Sequence, residues 1–294
     1  MTWLTRVRIP SSAACAFGHF SGRWELNDLA NVWAQQRALA HLCIGLPQLR
    51  RLLDTVITAI GRSGAALVEG LPIRNTVLVL AASALGEVTT EGNGPSPGQL
   101  VRDLLATEYS PAPLPLHTDS VFTDRPHAYL GLACVRQSRD GSGCSLLARA
   151  VDIAVTLQSE SPDLVRLLQD PCYPFAKTRA EGPNQSVVTT RFAPILSIVN
   201  GDITVCFHGE HLREGLQLAP HALDPQHRIA LHAFEDVLQR PSLATTVLLR
   251  PGDLLLLNNQ RTLHGRTAIG PNGNTRHLKR VKIHHARTAH GQVH

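Results

Sequence analysis

The chain has 294 residues, 43% of them hydrophobic and 17% charged, with a formal net charge of +5 when histidine is counted neutral. That composition suits one large globular domain or two small ones with ample core. No run approaches the roughly 18 apolar residues of a membrane helix, and the N-terminal Met1-Thr-Trp-Leu-Thr-Arg-Val-Arg segment lacks the apolar core of a secretion signal, so a soluble, cytoplasmic protein is expected.

In chain order, residues 25–65 read as helical. Leu26, Leu29, Val32 and Trp33 recur at helical spacing, and Leu49, Leu52, Leu53, Val56, Ile57 and Ile60 do so again after Pro47. The segment from Gly64 to Pro72 turns into a short strand, and Val77–Leu85 predicts a helix ended by Gly86. The Gly/Pro-rich stretch from Glu91 to Gly98 reads as a loop. From about residue 100 the texture changes to short apolar runs separated by turn signals: Tyr129 to Val135, Ser145 to Ala148, Ile195 to Val199, Ile203 to Phe207, Thr245 to Leu249, Asp253 to Leu257 and Leu278 to Ile283. Many short strands of this kind predict a barrel or a double-sheet jelly roll. Helices interrupt them at Val151–Leu157, Asp163–Leu168 and Pro225–Leu238, the last with Pro at its first turn. The polar segment Lys177–Thr190 reads as a mobile lid. Without an internal repeat or linker, the reading is one domain: a helical flank over 1–63, a jelly-roll core over 64–285 and a disordered tail over 286–294.

Six cysteines (Cys15, Cys43, Cys134, Cys144, Cys172 and Cys206) lie far apart with no Cys-x-x-Cys. The spacing excludes a zinc ribbon and favours buried free thiols. Basic residues gather toward the end: Arg276, Lys279, Arg280, Lys282 and Arg287, with His284, His285, His290 and His294 among and after them. A nucleic-acid-binding tail is one reading. Alternation with Leu278, Val281 and Ile283, and the lack of an aromatic stacking platform, favour a strand whose inward arginines meet small anions. A solvated basic edge strand is the plain alternative.

Two segments carry the chemistry. His117 and Asp119, two apart on an extended segment, would point the same way with origins roughly 6–7 Å apart, and Thr118 would face away. His264 lies in Asn258-Asn-Gln-Arg-Thr-Leu-His264-Gly-Arg266. Two imidazoles and one carboxylate on one face of an ion, with the opposite face open, is the arrangement of non-haem Fe(II) oxygenases. Separately, each piece also fits a plainer role: a buried histidine with an acidic partner, or a loop histidine satisfied by backbone. Their combination with an anion site is what points to iron. Arg276 and Arg280 are four apart, so on a strand both project to one face, where two inward guanidinium groups are costly unless each meets an anion. Ser145 begins a strand and offers a hydroxyl. Thr262 and Arg266 read as structural, and Cys144 as a packing residue.

The run from Pro251 to Ala268, followed by Arg276-His-Leu-Lys-Arg280, resembles the Fe(II)/2-oxoglutarate dioxygenases of the taurine dioxygenase (TauD/TfdA) type, and within them the clavaminate synthase-like group. The resemblance spans roughly residues 64–285. It implies a double-stranded β-helix with flanking helices, Fe(II) held by His117, Asp119 and His264, and 2-oxoglutarate held by Arg276 with Ser145. It also implies that O2 and 2-oxoglutarate are consumed in hydroxylating an unactivated carbon. Arg280 would meet the substrate's acidic group; Ser120 and Phe122, beside His117, are read as further substrate-binding residues. The chain departs from the usual Thr at Ser145 and from the subgroup's Glu at Asp119. The expected substrate is a free amino acid, or a peptide or cyclic dipeptide derived from amino acids, in secondary metabolism, with desaturation or cyclisation as further outcomes. No nucleic-acid or membrane partner is expected. A cupin-like metalloenzyme that does not use 2-oxoglutarate is the alternative.

Overall fold

The computed structural model describes residues 3–90, 99–182 and 185–285. The loop over 91–98 and the tail over 286–294, with His290 and His294, lie outside the described residues. Two sheets organise the molecule. The larger has seven strands, in the order Thr5–Arg8, Ala65–Glu69, Leu254–Asn258, Tyr129–Arg136, His277–His284 and Glu87–Thr89, with Arg102–Leu105 also paired to His277–His284. The smaller runs Thr245–Val247, Ser145–Arg149, Thr262–Arg266, Leu114–His117 and is antiparallel throughout.

Alternation along the strands explains how the layers stack. Leu67, Leu255, Leu257, Leu130, Leu132 and Leu278 of the larger sheet meet Leu147 and Val247 of the smaller in one core between them. The intervening residues Ala66, Val68, Leu254, Leu256, Val281 and Ile283 face a second core against the helices Val32–Gly45, Pro47–Ser63 and Asn75–Ser83. Central strands covered on both faces read as continuous apolar runs, which is why Asp253 is followed by four leucines. Helices Ala150–Glu160, Gly209–Leu218 and Pro225–Leu238 cover the smaller sheet through a third core containing Leu116, Ala148, Leu263 and Phe234. The protein is thus mixed α/β and β-rich. Among the described residues no helix is long and apolar enough to cross a membrane.

Helices begin and end where local chemistry says they should. Asp224 accepts from the His227 amide ahead of Pro225 at the first turn. Pro47 opens a helix that closes on left-handed Gly64, at φ 85°. Three elements differ from expectation. The N-terminal flank is not only helical, because Thr5–Arg8 adds a strand, parallel to Ala65–Glu69, to the edge of the larger sheet. A helix over Ser11–Ser21 precedes the expected ones. The segment 177–190 is no loop: it belongs to a long antiparallel hairpin, Tyr173–Gly182 with Gln185–Ala193, whose backbone groups pair with each other.

Candidate metal and anion site

His117 closes strand Leu114–His117 and His264 sits at the centre of Thr262–Arg266. The two are direct register partners across the antiparallel pair. Facing residues of such a pair project side by side, so the ladder brings together imidazoles remote in sequence, with ring centroids 4.3 Å apart. Gly265 permits this approach, since a Cβ there would lie 2.6 Å from the Leu114 carbonyl oxygen. Asp119 lies past the strand end, in a turn. The extended His-x-Asp geometry is therefore replaced by a bend in which Ser120 takes a left-handed φ of 63°. Buried Asn259 holds that bend: its Oδ1 accepts from the Asp119 amide at 2.8 Å, and its Nδ2 donates to the carbonyls of Asp119 at 3.0 Å and His127 at 2.9 Å. Thr118 faces away, exchanging hydrogen bonds with Phe207.

Asp119 Oδ1 ends 3.6 Å from His117 Nε2 and 3.9 Å from His264 Nε2. All three ligand atoms fall within 4.8 Å of one another. His117 Nδ1 lies 2.8 Å from the Pro115 carbonyl oxygen. That acceptor requires the ring proton on Nδ1 and leaves the Nε2 lone pair toward the triad. Burial, reinforced by the neighbouring His117, pulls His264 down to about 3, so it stays neutral. Burial pushes the Asp119 carboxyl up, but Lys282, His117, Arg280 and His264 outweigh it and hold the group well below the usual carboxylate range. Its Oδ2 is 3.1 Å from Lys282 Nζ and 3.7 Å from an Arg280 guanidinium nitrogen. A neutral His264, a His117 with its Nε2 toward the triad and an ionised carboxylate suit a divalent transition-metal ion.

A cavity of about 120 Å³ opens beside the triad, lined by His117, His264, Ser145, Arg266, Arg276 and Arg280 among others. Arg276 lies at its far end, just ahead of strand His277–His284 rather than on it, after a short helical turn over Gly273–Thr275. It is 8% exposed. Among the described residues its Nε has no hydrogen-bond partner and no carboxylate pairs with it. Burial and the nearby Arg266 pull it down to about 10. Gly143, at φ 70°, makes room for it, since a Cβ there would stand 2.9 Å from Arg276 Cδ. Ser145, buried at the start of Ser145–Arg149, faces Arg266 in the ladder. Arg266 donates to the Ser110 and Ala112 carbonyls, tying down the approach to His117. Cys144 Sγ donates to the Gly141 carbonyl.

Of the other expected site residues, Arg280 lies on the cavity wall next to Asp119. Ser120 directs its hydroxyl to His127 Nδ1 at 2.7 Å. Phe122 stacks edge-on with His211, 4.8 Å between centroids. Four neighbours were not singled out from the sequence. His208 packs 4.6 Å from His117 and His211 4.3 Å from His208. Lys282 pairs with Asp119, and Asn259 holds its turn. The i, i+3 spacing of His208 and His211 was the available signal, but nothing in the sequence places that helix start beside residue 117.

A sequence profile for the family described as "Taurine catabolism dioxygenase TauD, TfdA family" matches residues 33–282. The chain is 28% identical over 176 residues to the FR-33289 synthase of Streptomyces rubellomurinus, covering 58% of this chain and about half, 49%, of that protein. It is 26% identical over 272 residues to the L-lysine 3-hydroxylase of Catenulispora acidiphila, covering 86% of this chain and 71% of that one. Its fold is similar to asparagine oxygenase solved with Fe(II), 3-hydroxyasparagine and succinate, with a TM-score of 0.71, 20% identity, and coverage of 95% and 93% of the two chains. It is similar also to the non-haem iron oxygenase OrfP solved with Fe, with a TM-score of 0.69, 20% identity, and coverage of 97% and 94%.

Proposed function

Because the chain belongs to the TauD/TfdA dioxygenase family, we propose that it is an Fe(II)- and 2-oxoglutarate-dependent hydroxylase of an amino acid or amino-acid-derived small molecule. His117, Asp119 and His264 hold the iron, and Arg276 with Ser145 holds the distal carboxylate of 2-oxoglutarate. The observation that carries this reading is the buried Arg276 at the end of the triad's own cavity. A guanidinium left without a carboxylate in a protein interior is costly, and a planar fork is the group that meets a carboxylate through two parallel hydrogen bonds. When bound, iron and 2-oxoglutarate supply an oxidative decarboxylation, giving succinate and CO2, that is coupled through O2 to hydroxylation of a C–H bond. The chain's own part is placement. The 117/264 ladder fixes the two imidazoles, Asn259 fixes the carboxylate, and apolar Leu130, Leu132 and Leu278 keep water from the cavity wall. Arg280 receives the substrate's carboxylate, while Ser120 and Phe122 shape the wall beside it.

Several finer readings accompany this one. The two packed sheets support a double-stranded β-helix closed as a jelly roll, within a single oxygenase domain. The six free cysteines fit a reducing, cytoplasmic setting. Similarity to the FR-33289 synthase supports a place in natural-product biosynthesis.

The test is anaerobic titration of the Fe(II) protein with 2-oxoglutarate, in wild type and Arg276→Ala. A weak visible charge-transfer band that saturates in wild type and is lost or much weakened in the variant is expected. Bound iron without any such band would remove 2-oxoglutarate from the reading and leave a cupin-like metalloenzyme.

A further inference from the structure

Two non-glycine residues among the described ones hold a left-handed φ, Ser120 at 63° and Asn200 at 52°. Local chemistry explains Asn200: with Gly201 it joins the paired strands Leu196–Val199 and Asp202–Val205, and Asn-Gly is the favoured pair for a two-residue hairpin connection. Ser120 has no such local reason. A left-handed serine is costly, and a strained residue persists only where its surroundings hold it. What holds this one is a closed ring of four residues: Asp119, Ser120, His127 and Asn259. Asn259 Nδ2 donates to the carbonyls of both Asp119 and His127, which ties those two segments together through main chain. Ser120 Oγ and His127 Nδ1, 2.7 Å apart, tie them a second time through side chains. The Ser120 carbonyl accepts from the Thr123 amide at 3.1 Å and from its hydroxyl at 2.9 Å. His127 is fixed in turn. Its ring stacks on His284, with centroids 4.4 Å and planes 20° apart. The next residue, Ala128, donates to the Ile283 carbonyl at 2.9 Å and accepts from the Asn259 amide at 2.8 Å.

The ring sits where the metal centre needs a restraint. His117 and His264 are set by the ladder, but Asp119 lies past the end of its strand. Its Oδ2 faces Lys282 at 3.1 Å and Arg280 at 3.7 Å, whose attraction acts on the side chain from the larger sheet. Its Oδ1 must nevertheless stay with the imidazoles, 3.6 Å from His117 Nε2 and 3.9 Å from His264 Nε2. The main chain on both sides of Asp119 decides that. Asn259 holds the amide and carbonyl of Asp119 itself, and the bond between Ser120 and His127 holds the residue that follows. We propose that His127 is a positioning residue for the metal centre: through Ser120 it maintains the left-handed turn that aims Asp119 Oδ1 at the two imidazoles. The Ser120 hydroxyl is thereby committed to His127 and not to substrate. This inference rests on the hydroxylase reading above for the metal that Asp119 holds.

The test is anaerobic equilibrium dialysis with Fe(II), alongside thermal melts of metal-free protein, for wild type, Ser120→Ala, Ser120→Gly, His127→Phe and the double variant Ser120→Ala/His127→Phe. Ser120→Ala removes the hydroxyl and keeps the left-handed cost, whereas Ser120→Gly removes both. Stability and metal affinity should therefore part company. Ser120→Gly is expected to melt higher than Ser120→Ala and yet to bind Fe(II) no tighter. Both should fall below wild type by about tenfold or more, as losing an outer partner of a metal ligand does. His127→Phe keeps an aromatic ring against His284 and should show a similar fall. The double variant should bind about as the weaker single variant does, because both changes break one bond. Fe(II) affinity that recovers in Ser120→Gly along with the melting temperature, or single losses that multiply in the double variant, overturns the proposal. Wild type that binds Fe(II), beside variants that bind it as tightly, overturns this inference and leaves the hydroxylase reading standing. Wild type that binds no Fe(II) overturns both.

Discussion

The smaller sheet and the larger sheet contribute to the site in different ways. On the smaller sheet, His117 and His264 are placed by backbone: they are register partners in a hydrogen-bonded ladder, and Asn259 holds the third ligand through main-chain groups. On the larger sheet, Arg276, Arg280 and Lys282 are long side chains reaching inward from one strand and its approach, the last two toward Asp119. The first arrangement is fixed by main chain and suits a metal ion; the second rests on side chains, and in the reading proposed above it meets the anions. A register is hard to change by mutation without losing the fold, whereas a side chain on a strand face is easily exchanged. Variation in substrate should therefore track the larger sheet and the hairpin opposite it.

The largest effect should come from breaking the ladder side of the comparison. His264→Ala or Asp119→Ala removes a ligand, and Fe(II) affinity should fall by more than the roughly 10–100-fold that the loss of an outer partner costs, with succinate production from 2-oxoglutarate abolished. Equilibrium dialysis with Fe(II) reads this directly. Retained tight iron binding in both variants would mean the ion sits elsewhere.

Next is Arg276, where function and stability should move in opposite directions. Removing one side of a buried charge pair costs about 2–5 kcal/mol in binding, so Arg276→Met should weaken 2-oxoglutarate binding by about 30-fold or more. The same change relieves a buried guanidinium that the free protein leaves without a carboxylate, so the ligand-free variant should melt no lower than wild type. A Tm that falls along with 2-oxoglutarate affinity would show that Arg276 is already satisfied in the free protein. Gly143→Ala should act on the same end more gently. It places a Cβ against Arg276 Cδ at a left-handed position, costing roughly 1–2 kcal/mol of stability and raising the KM for 2-oxoglutarate while leaving iron affinity in place.

Asn259→Ala sharpens the comparison from the backbone side. It strands the Asp119 amide and two carbonyls at once, a loss of about 1–3 kcal/mol for each group left buried and unmet. Iron affinity should drop by about 10–100-fold with 2-oxoglutarate contacts untouched. Unchanged iron affinity would mean that Asp119 needs no clamp.

How much of this was legible in the sequence follows the same division. Local signals placed the helices, because Pro47, Gly64, Asp224 and Pro225 act within one turn of themselves. The leucine run after Asp253 announced a strand, and the structure shows it covered on both faces. The motif residues named the triad, yet not its geometry, since the bend at Ser120 depends on Asn259, 140 positions away. The segment Lys177–Thr190 read as a mobile lid because the hairpin containing it keeps Val187, Val188 and Phe192 exposed, so no buried alternation marks it. Thr5–Arg8 is four residues long and pairs with a partner 61 positions on, beyond any local pattern. His208 and His211 came beside the triad only through packing that no spacing encodes.

The smallest effect concerns protonation, and it separates histidines inside the site from one outside it. Burial first, with neighbouring charges, lowers His264 and His127 to about 3 and His208 to about 2. His227, at the start of helix Pro225–Leu238, is raised instead, through hydrogen bonding to Asp170 against burial, and then to Asp224. The signs are opposite. A group kept neutral in the folded state contributes stability above the unfolded histidine value of about 6.5, and that contribution is lost as pH falls from there toward the folded value. His227 contributes most below about 6.5 and loses its contribution as pH rises through its raised folded value. These three, with His211 and His285, which burial also pulls down, outnumber the one raised group and make the metal-free protein less stable as pH drops below about 6.5, by up to about 1.4 kcal/mol per pH unit for each of His264, His208 and His127. The single exposed-side pair at His227 offsets less than about 1 kcal/mol of this. Thermal melts of metal-free protein between about pH 5 and 8 should therefore show Tm rising toward neutrality, and histidine NMR titration over that range should move His227 while His264 and His208 stay still. A midpoint near the ordinary value for His264 would mean that water reaches the triad, and the ladder side of the site would be looser than its geometry shows.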